Sequence, residues 1–266
     1  MFFVIFLVAL LFSAVGFKKY IWFISIGYGL AIAGIGGVLL IAFHGVHTGA
    51  TVFYCVLFVI YGLRLAGYLA FRETSRSSYG EKMKGEIKES DSVSMVEKVA
   101  IWISASLLYA CEAAPLLFRL QEMKAEAAHT DFVLVIGIII SLAGIVIEAV
   151  ADMQKASYKK TNPYHFVSSG LFSFVRCPNY FGELLMWTGV FISGLTVSHG
   201  GWRWLAVLAG FIGIIYIMFS GARRLELRQE RTYGKDPEYR RYVNTTPILI
   251  PFVPIYSVKT HRWLVG

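Results

Sequence analysis

Apolar residues in this chain come in long blocks. Seven of them, roughly 1–16, 21–43, 50–71, 97–118, 132–151, 180–198 and 202–220, carry few charges and are separated by short polar links. A helix needs about 20 mostly apolar residues to cross the hydrocarbon core of a bilayer. The pattern therefore predicts an all-α, polytopic integral membrane protein with seven transmembrane helices, a cytoplasmic polar loop region and a short C-terminal cap over 222–266. The first block has no basic residue before it and two lysines after it, which suits a first span better than a cleaved leader. No internal repeat or second soluble domain is visible.

The polar links give an orientation. Basic residues cluster at Lys18–Lys19, from Arg72 to Lys88, from Lys155 to Arg176 and from Arg223 to Arg241. With seven spans these clusters follow spans one, three, five and seven, so all four fall on one side. The links at 44–49, 119–131 and 199–201 carry few positive charges. The positive-inside rule then predicts the N-terminus outside and the C-terminus in the cytoplasm.

Composition agrees. Hydrophobic residues make up 56% and charged residues 16% of the 266 residues, too little charge to cover a soluble domain of this length. The formal charge of +8 lies in the links, where it reads as orientation signals and contacts to anionic headgroups. Membrane lipids are thus expected partners and nucleic acid is not. The three cysteines, Cys55, Cys111 and Cys177, have no disulfide or zinc spacing. His44 and His47 lack a nearby third ligand, and no metal is expected. The glycines from Gly27 to Gly37 have no preceding strand and read as close helix packing.

Ionisable residues inside spans are costly and mark functional cavities. No Asp, Glu, Asn or Gln precedes Glu73. Against that background Arg64, Glu112, Glu148, Asp152 and Glu183 stand out. Glu148 and Asp152 are four apart and share a helical face, so they call for a cation, a donor-rich ligand or a raised pKa. Asp152 also has a structural alternative, as a cap paired with Lys155. Arg64 shares a face with Tyr61 and can equally snorkel to the interface. Glu112, beside Pro115, lies far from the basic links and reads as structural.

The densest polar signal runs from Lys155 through Glu183. Lys155, Lys159, Lys160, His165 and Arg176 can neutralise phosphates; Tyr158, Tyr164 and Phe166 can stack on a base; Asn179 both donates and accepts. Pro178 and Gly182 bracket a turn that displays Asn179 and Glu183. A large, anionic, aromatic cofactor suits such a pocket.

The stretch Ser169-Gly170-Leu171-Phe172 through Arg176-Cys177-Pro178-Asn179-Tyr180-Phe181-Gly182-Glu183 resembles the C-terminal signature of the steroid 5-alpha-reductase family. Those are membrane-embedded, NADPH-dependent enzymes that reduce the double bond of an enone. The resemblance extends from span three to Pro247–Pro251. It implies cofactor contacts at Asp152, Lys159, Tyr164, Asn179, Glu183 and Arg223, and at Glu148, where the family often has asparagine. It implies that Tyr61 polarises the substrate carbonyl, with Arg64 beside it in the substrate pocket. Hydride would pass to the beta carbon of the conjugated carbonyl, and Tyr61 would stabilise the negative charge developing on oxygen. Spans one to four (1–118) would form the substrate chamber and 132–250 the cofactor region, in a protein acting as a monomer on a lipophilic substrate. Two departures bear on the substrate: span two has no glutamate to partner Tyr61, and Leu227 stands where the family has histidine. An alternative is a methyltransferase similar to the isoprenylcysteine carboxyl methyltransferases, which use S-adenosylmethionine. Cys177 in place of their histidine, with Lys159 and Lys160, favours the phosphate-bearing cofactor.

Overall fold

A computed structural model of the chain describes residues 1–74, 93–125 and 130–265. The basic segment between Arg72 and Lys88 lies, from residue 75 onward, outside the described residues, as do residues 126–129 of the 119–131 link. The described residues form helices and turns, with no strand among them. The α-helices are α1 (Phe2–Ser13), α2 (Ile26–Ala42), α3 (Gly49–Thr74), α4 (Met95–Ala125), α5 (Phe132–Thr161), α6 (Pro178–Ser193), α7 (Gly201–Tyr233) and α8 (Pro237–Thr245).

Among the described residues, five stretches are long and apolar enough to cross a membrane: Tyr20–Ala42, Gly49–Glu73, Met95–Ala125, Phe132–Thr161 and Gly201–Tyr233. The other two expected spans are shorter helices. α1 has 12 residues and tightens into a 3-10 turn over Ala14–Phe17. α6 has 16, starting at Pro178, whose missing N–H costs nothing at a first helical position, and giving way to turns after Ser193. α5 runs further than its apolar block. Lys155, Lys159 and Lys160, expected in a loop, continue the helix to Thr161, because nothing breaks it until Pro163 pushes Asn162 out of the helical region.

Packing divides the chain into two compact units. The first comprises Met1–Ile138 and Val190–Phe211, the second Ile139–Gly189 and Ile212–Gly266.

In the first unit α2 packs on α1 and α3, and α1 on α4. Small residues let the backbones touch: a Cβ added to Gly29 would stand 2.6 Å from the Gly62 carbonyl oxygen and 2.9 Å from the Ala66 nitrogen. At one end, the buried Arg119 donates to the Ser193 carbonyl (3.1 Å) and the Thr196 hydroxyl (2.7 Å) and pairs with Asp131. Asp131 also caps α5, accepting from the Leu134 N–H at 2.7 Å. Burial alone would raise the Asp131 carboxyl, but the hydrogen bonds from Leu134, Arg119 and Thr196 outweigh it and hold the carboxyl below its ordinary value. At the end of α3, Glu73 pairs with Lys19 and accepts from the Trp22 indole.

The second unit is built around a buried ion pair. Arg176 Nη2 lies 3.0 Å from Glu226 Oε1, with the two side chains 2% and 1% exposed. Each partner also holds the segment that follows α8. Arg176 donates to the Tyr256 carbonyl, and Glu226 accepts from the Val258 N–H at 2.9 Å. The Arg176 and Cys177 N–H groups donate to the carbonyls of Pro247 and Ile248, at 2.9 and 3.0 Å. The turn before α6 is therefore strapped by the C-terminal segment. Phe252, at the tip of that strap, has φ +64, and no other non-glycine among the described residues has positive φ.

Candidate functional site

In the second unit, α5 and α6 meet at two glycines. A Cβ added to Gly182 would stand 2.6 Å from the Gly144 carbonyl oxygen and 2.7 Å from the Glu148 nitrogen, so a side chain at either glycine would drive the helices apart. This contact brings Glu148 beside the turn of α6 that carries Glu183. Asp152 follows Glu148 by one turn on α5, and Asn179 precedes Glu183 by one turn on α6. All three carboxylates are buried, while Asn179 is half-buried and its amide makes no side-chain hydrogen bond among the described residues. Thus four of the expected residues, Glu148, Asp152, Asn179 and Glu183, are gathered by two touching helices. Buried acceptors of this kind suit hydroxyl and amide donors.

The remaining expected contacts are placed differently. Lys159 donates to the carbonyls of Pro163 (3.3 Å) and His165 and to the Tyr233 hydroxyl (3.3 Å), so it ties the end of α5 to the following loop and to α7. Arg223 donates to the carbonyls of Lys259 and Leu264, each at 3.2 Å, and holds the chain after the strap. Tyr164 is 85% exposed. Phe166 is not displayed for stacking. It is buried among Tyr233, Tyr239 and Tyr242, with the Tyr242 ring stacked on it at 5.4 Å. That aromatic core closes over the Arg176 turn, where burial pushes the Tyr239 hydroxyl up to about 12 and raises the Tyr242 hydroxyl as well. Burial also pushes the Cys177 thiol up to about 11, against Arg176 and Lys155, which pull it down.

The first unit holds a separate polar feature. Tyr61 is fully buried on α3, and its hydroxyl lies 3.4 Å from the Tyr28 hydroxyl on α2. The Arg64 guanidinium sits 6.0 Å from the centre of the Tyr61 ring, within reach of a cation–π contact, and Arg64 itself is half-buried. The Tyr28 ring lies 5.0 Å from that of Tyr109, whose hydroxyl donates to the Phe23 carbonyl at 2.9 Å. Span two has no acid to partner Tyr61, but it has a phenol in that place. Sequence reasoning missed Tyr28, because a lone tyrosine among glycines reads as packing; its helical face, set by Gly29 against Gly62, is the signal that finds it.

Comparisons with known proteins give the family of the chain. A family profile described as a protein of unknown function, DUF1295, matches residues 6–246. The chain is 30% identical over 121 residues to the steroid 5-alpha-reductase DET2 of Arabidopsis thaliana, covering 45% of this chain and 41% of that protein. It is 25% identical over 119 residues to the 3-oxo-5-alpha-steroid 4-dehydrogenase 1 of Rattus norvegicus, covering 44% and 40%. The match thus spans about two fifths of the length of each relative. No solved structure matches this chain.

Proposed function

The chain belongs to the DUF1295 family, and from that membership and its steroid 5-alpha-reductase relatives we propose a membrane-embedded oxidoreductase that uses NADPH to reduce the C=C bond of a conjugated, enone-type lipophilic substrate. A 3-oxo-4-ene steroid is the type of substrate meant. The observation that carries the reading is the buried Tyr28–Tyr61 hydroxyl pair. Reducing a conjugated carbonyl compound builds negative charge on its oxygen, and a phenol in a water-poor, apolar helix packing stabilises that charge far better than one in water. Methyl transfer to a carboxylate has no such requirement. Tyr61 donates to the substrate oxygen, Tyr28 holds the Tyr61 hydroxyl in place, and Arg64 lines the same pocket.

NADPH, when bound, supplies the hydride. The donor and acceptor set of the second unit fits it. Glu148, Asp152 and Glu183 are acceptors for the ribose hydroxyls and the carboxamide, and the half-buried Asn179 amide both donates and accepts. The phosphates call for cations, which Lys155, one turn past Asp152, and the exposed Lys160 provide. Lys159 and Arg223 act at one remove, fixing the loop and tail carbonyls that border the cofactor region, and Tyr164 covers it from the surface. In this reading the chain crosses the membrane seven times, with Phe2–Phe17 and Pro178–Ser193 as short crossings. The N-terminus is outside and the C-terminus cytoplasmic, 1–118 forms the substrate chamber, 132–250 the cofactor region, and one chain suffices for activity.

The test is ligand binding to the purified, detergent-solubilised protein. NADPH binding, read by nicotinamide fluorescence, is expected, and Asn179→Ala is expected to weaken it roughly tenfold, the loss of one or two hydrogen bonds. Tight binding of S-adenosylmethionine with none of NADPH would replace the reductase with the methyltransferase.

A further inference from the structure

The chain beyond the strap turns back along α7. The Val258 N–H donates to Glu226, the Lys259 and Leu264 carbonyls accept from Arg223, and the Trp263 carbonyl accepts from the Tyr216 hydroxyl at 3.1 Å, which in turn accepts from the Val265 N–H at 3.3 Å. These contacts descend α7 from residue 226 to residue 216. At 1.5 Å per residue that is a path of about 15 Å. The helix changes character along it: residues 204–220 are apolar, and Arg223 and Arg224 begin the charged end. Arg223 therefore marks the border between hydrocarbon and headgroups, and Tyr216 lies about 10 Å to the hydrocarbon side.

The tail is graded in the same sense. Lys259, Thr260, His261 and Arg262 come level with the charged end, and Trp263 and Val265 with Tyr216. Trp263 is 65% and Val265 73% exposed, although the Trp263 ring lies 6.1 Å from that of Tyr216. The cations point outward: Arg262 and Arg224 are exposed with no ion pair among the described residues, and Lys259 reaches Glu230 only at 3.9 Å. An outward indole one or two turns below a cluster of outward cations is the arrangement that a bilayer interface selects, since indole is amphipathic and anionic headgroups attract Lys and Arg.

We propose that residues 259–265 form an interfacial lipid anchor, in which Lys259 and Arg262, with Arg224, bind the headgroup of an anionic phospholipid while Trp263 and Val265 lie in the acyl region beside α7. The anchor is independent of which reaction the protein catalyses.

The test uses the full chain reconstituted in phosphatidylcholine vesicles containing roughly 20% phosphatidylserine, a composition that gives an anionic surface. The native cysteines are all buried, so a nitroxide reports on an introduced one. Labels on Trp263→Cys and Val265→Cys are expected to relax faster with oxygen than with a water-soluble nickel chelate, and a label on Thr260→Cys the reverse. Nickel access at 263 and 265 equal to that at 260 overturns the anchor, and so does shielding from both reagents, which means that protein covers the site. Enrichment of spin-labelled phosphatidylserine around the protein is expected to fall roughly fivefold for each of Lys259→Gln and Arg262→Gln. Unchanged enrichment overturns the headgroup assignment.

Discussion

The two candidate regions, one in each unit, place polar groups by opposite means. Around Tyr61 the first unit buries neutral hydroxyls: Tyr28, Tyr61 and Tyr109 pack ring to ring, and Tyr109 donates to a backbone carbonyl. The second buries charge, with the Arg176–Glu226 pair, the acids Glu148 and Asp152 on α5, and Glu183 on α6. A hydroxyl is cheap to bury and leaves its pocket apolar, which suits a lipophilic ligand. Buried charge is expensive, and tolerable only where partners are fixed on every side, which suits a polar ligand held in one orientation. Under the proposed function the contrast is one of tasks as well as of chemistry.

The most damaging way to probe it is to remove one charge. Glu226→Ala leaves the Arg176 guanidinium buried without its carboxylate and frees the Val258 N–H, so a loss of about 3–5 kcal/mol is expected. Tyr109→Phe in the first unit removes one hydrogen bond and should cost only about 0.5–1.5 kcal/mol. Thermal unfolding in one detergent compares the two directly. Limited proteolysis adds a second readout, because Glu226→Ala should expose the strap from 247 onward to cleavage. Equal destabilisation by the two variants would erase the contrast.

Removing single hydroxyls probes function rather than stability. Tyr61→Phe is expected to lower turnover of an enone substrate by roughly 100-fold, the loss of one donor to a developing oxyanion, with NADPH affinity unchanged. Tyr28→Phe, one step removed from the substrate in the proposed mechanism, should lower turnover about tenfold, since only the orientation of the Tyr61 hydroxyl is lost. If Tyr28→Phe costs as much as Tyr61→Phe, the two phenols act on the substrate together. If Tyr61→Phe leaves turnover intact, the carbonyl is polarised by another group.

How far the sequence reveals these regions follows from the range of the signal. Apolar blocks are local, so the helices are legible, and so are Glu148 and Asp152, because four-residue spacing puts them on one face whatever the fold. The close crossing of α5 and α6 depends on Gly144 and Gly182, which lie 38 residues apart and look like ordinary span residues singly. The Arg176–Glu226 pair joins residues 50 apart, and Arg176 reads equally well as a phosphate ligand. Lys159 shows the same ambiguity: an ammonium that caps loop carbonyls and one that awaits a phosphate have the same letter and neighbours. Tyr28 is hidden for a different reason. Residue type alone cannot show that a phenol stands in the place where an acid is sought.

The smallest effect expected lies at an ion pair of the first unit, away from the tyrosine cluster. Asp131 is partly exposed, and its partner Arg119 keeps the Ser193 carbonyl and the Thr196 hydroxyl if the carboxylate is lost. The folded carboxyl titrates below its unfolded value, so it contributes stability above the ordinary carboxylate pKa of about 4 and loses that contribution as pH falls through the lower folded value. At neutral pH, Asp131→Asn should lower the unfolding temperature by no more than about 4 °C, because the amide still caps α5. As pH falls from about 4 through the lower folded value the variant and the parent should converge, as protonation leaves the parent with a neutral side chain too. Convergence separates a loss of charge from a loss of packing, which would persist at every pH. A gap that stays constant to pH 3 would mean that Asp131 holds this end of the first unit by shape and hydrogen bonding alone.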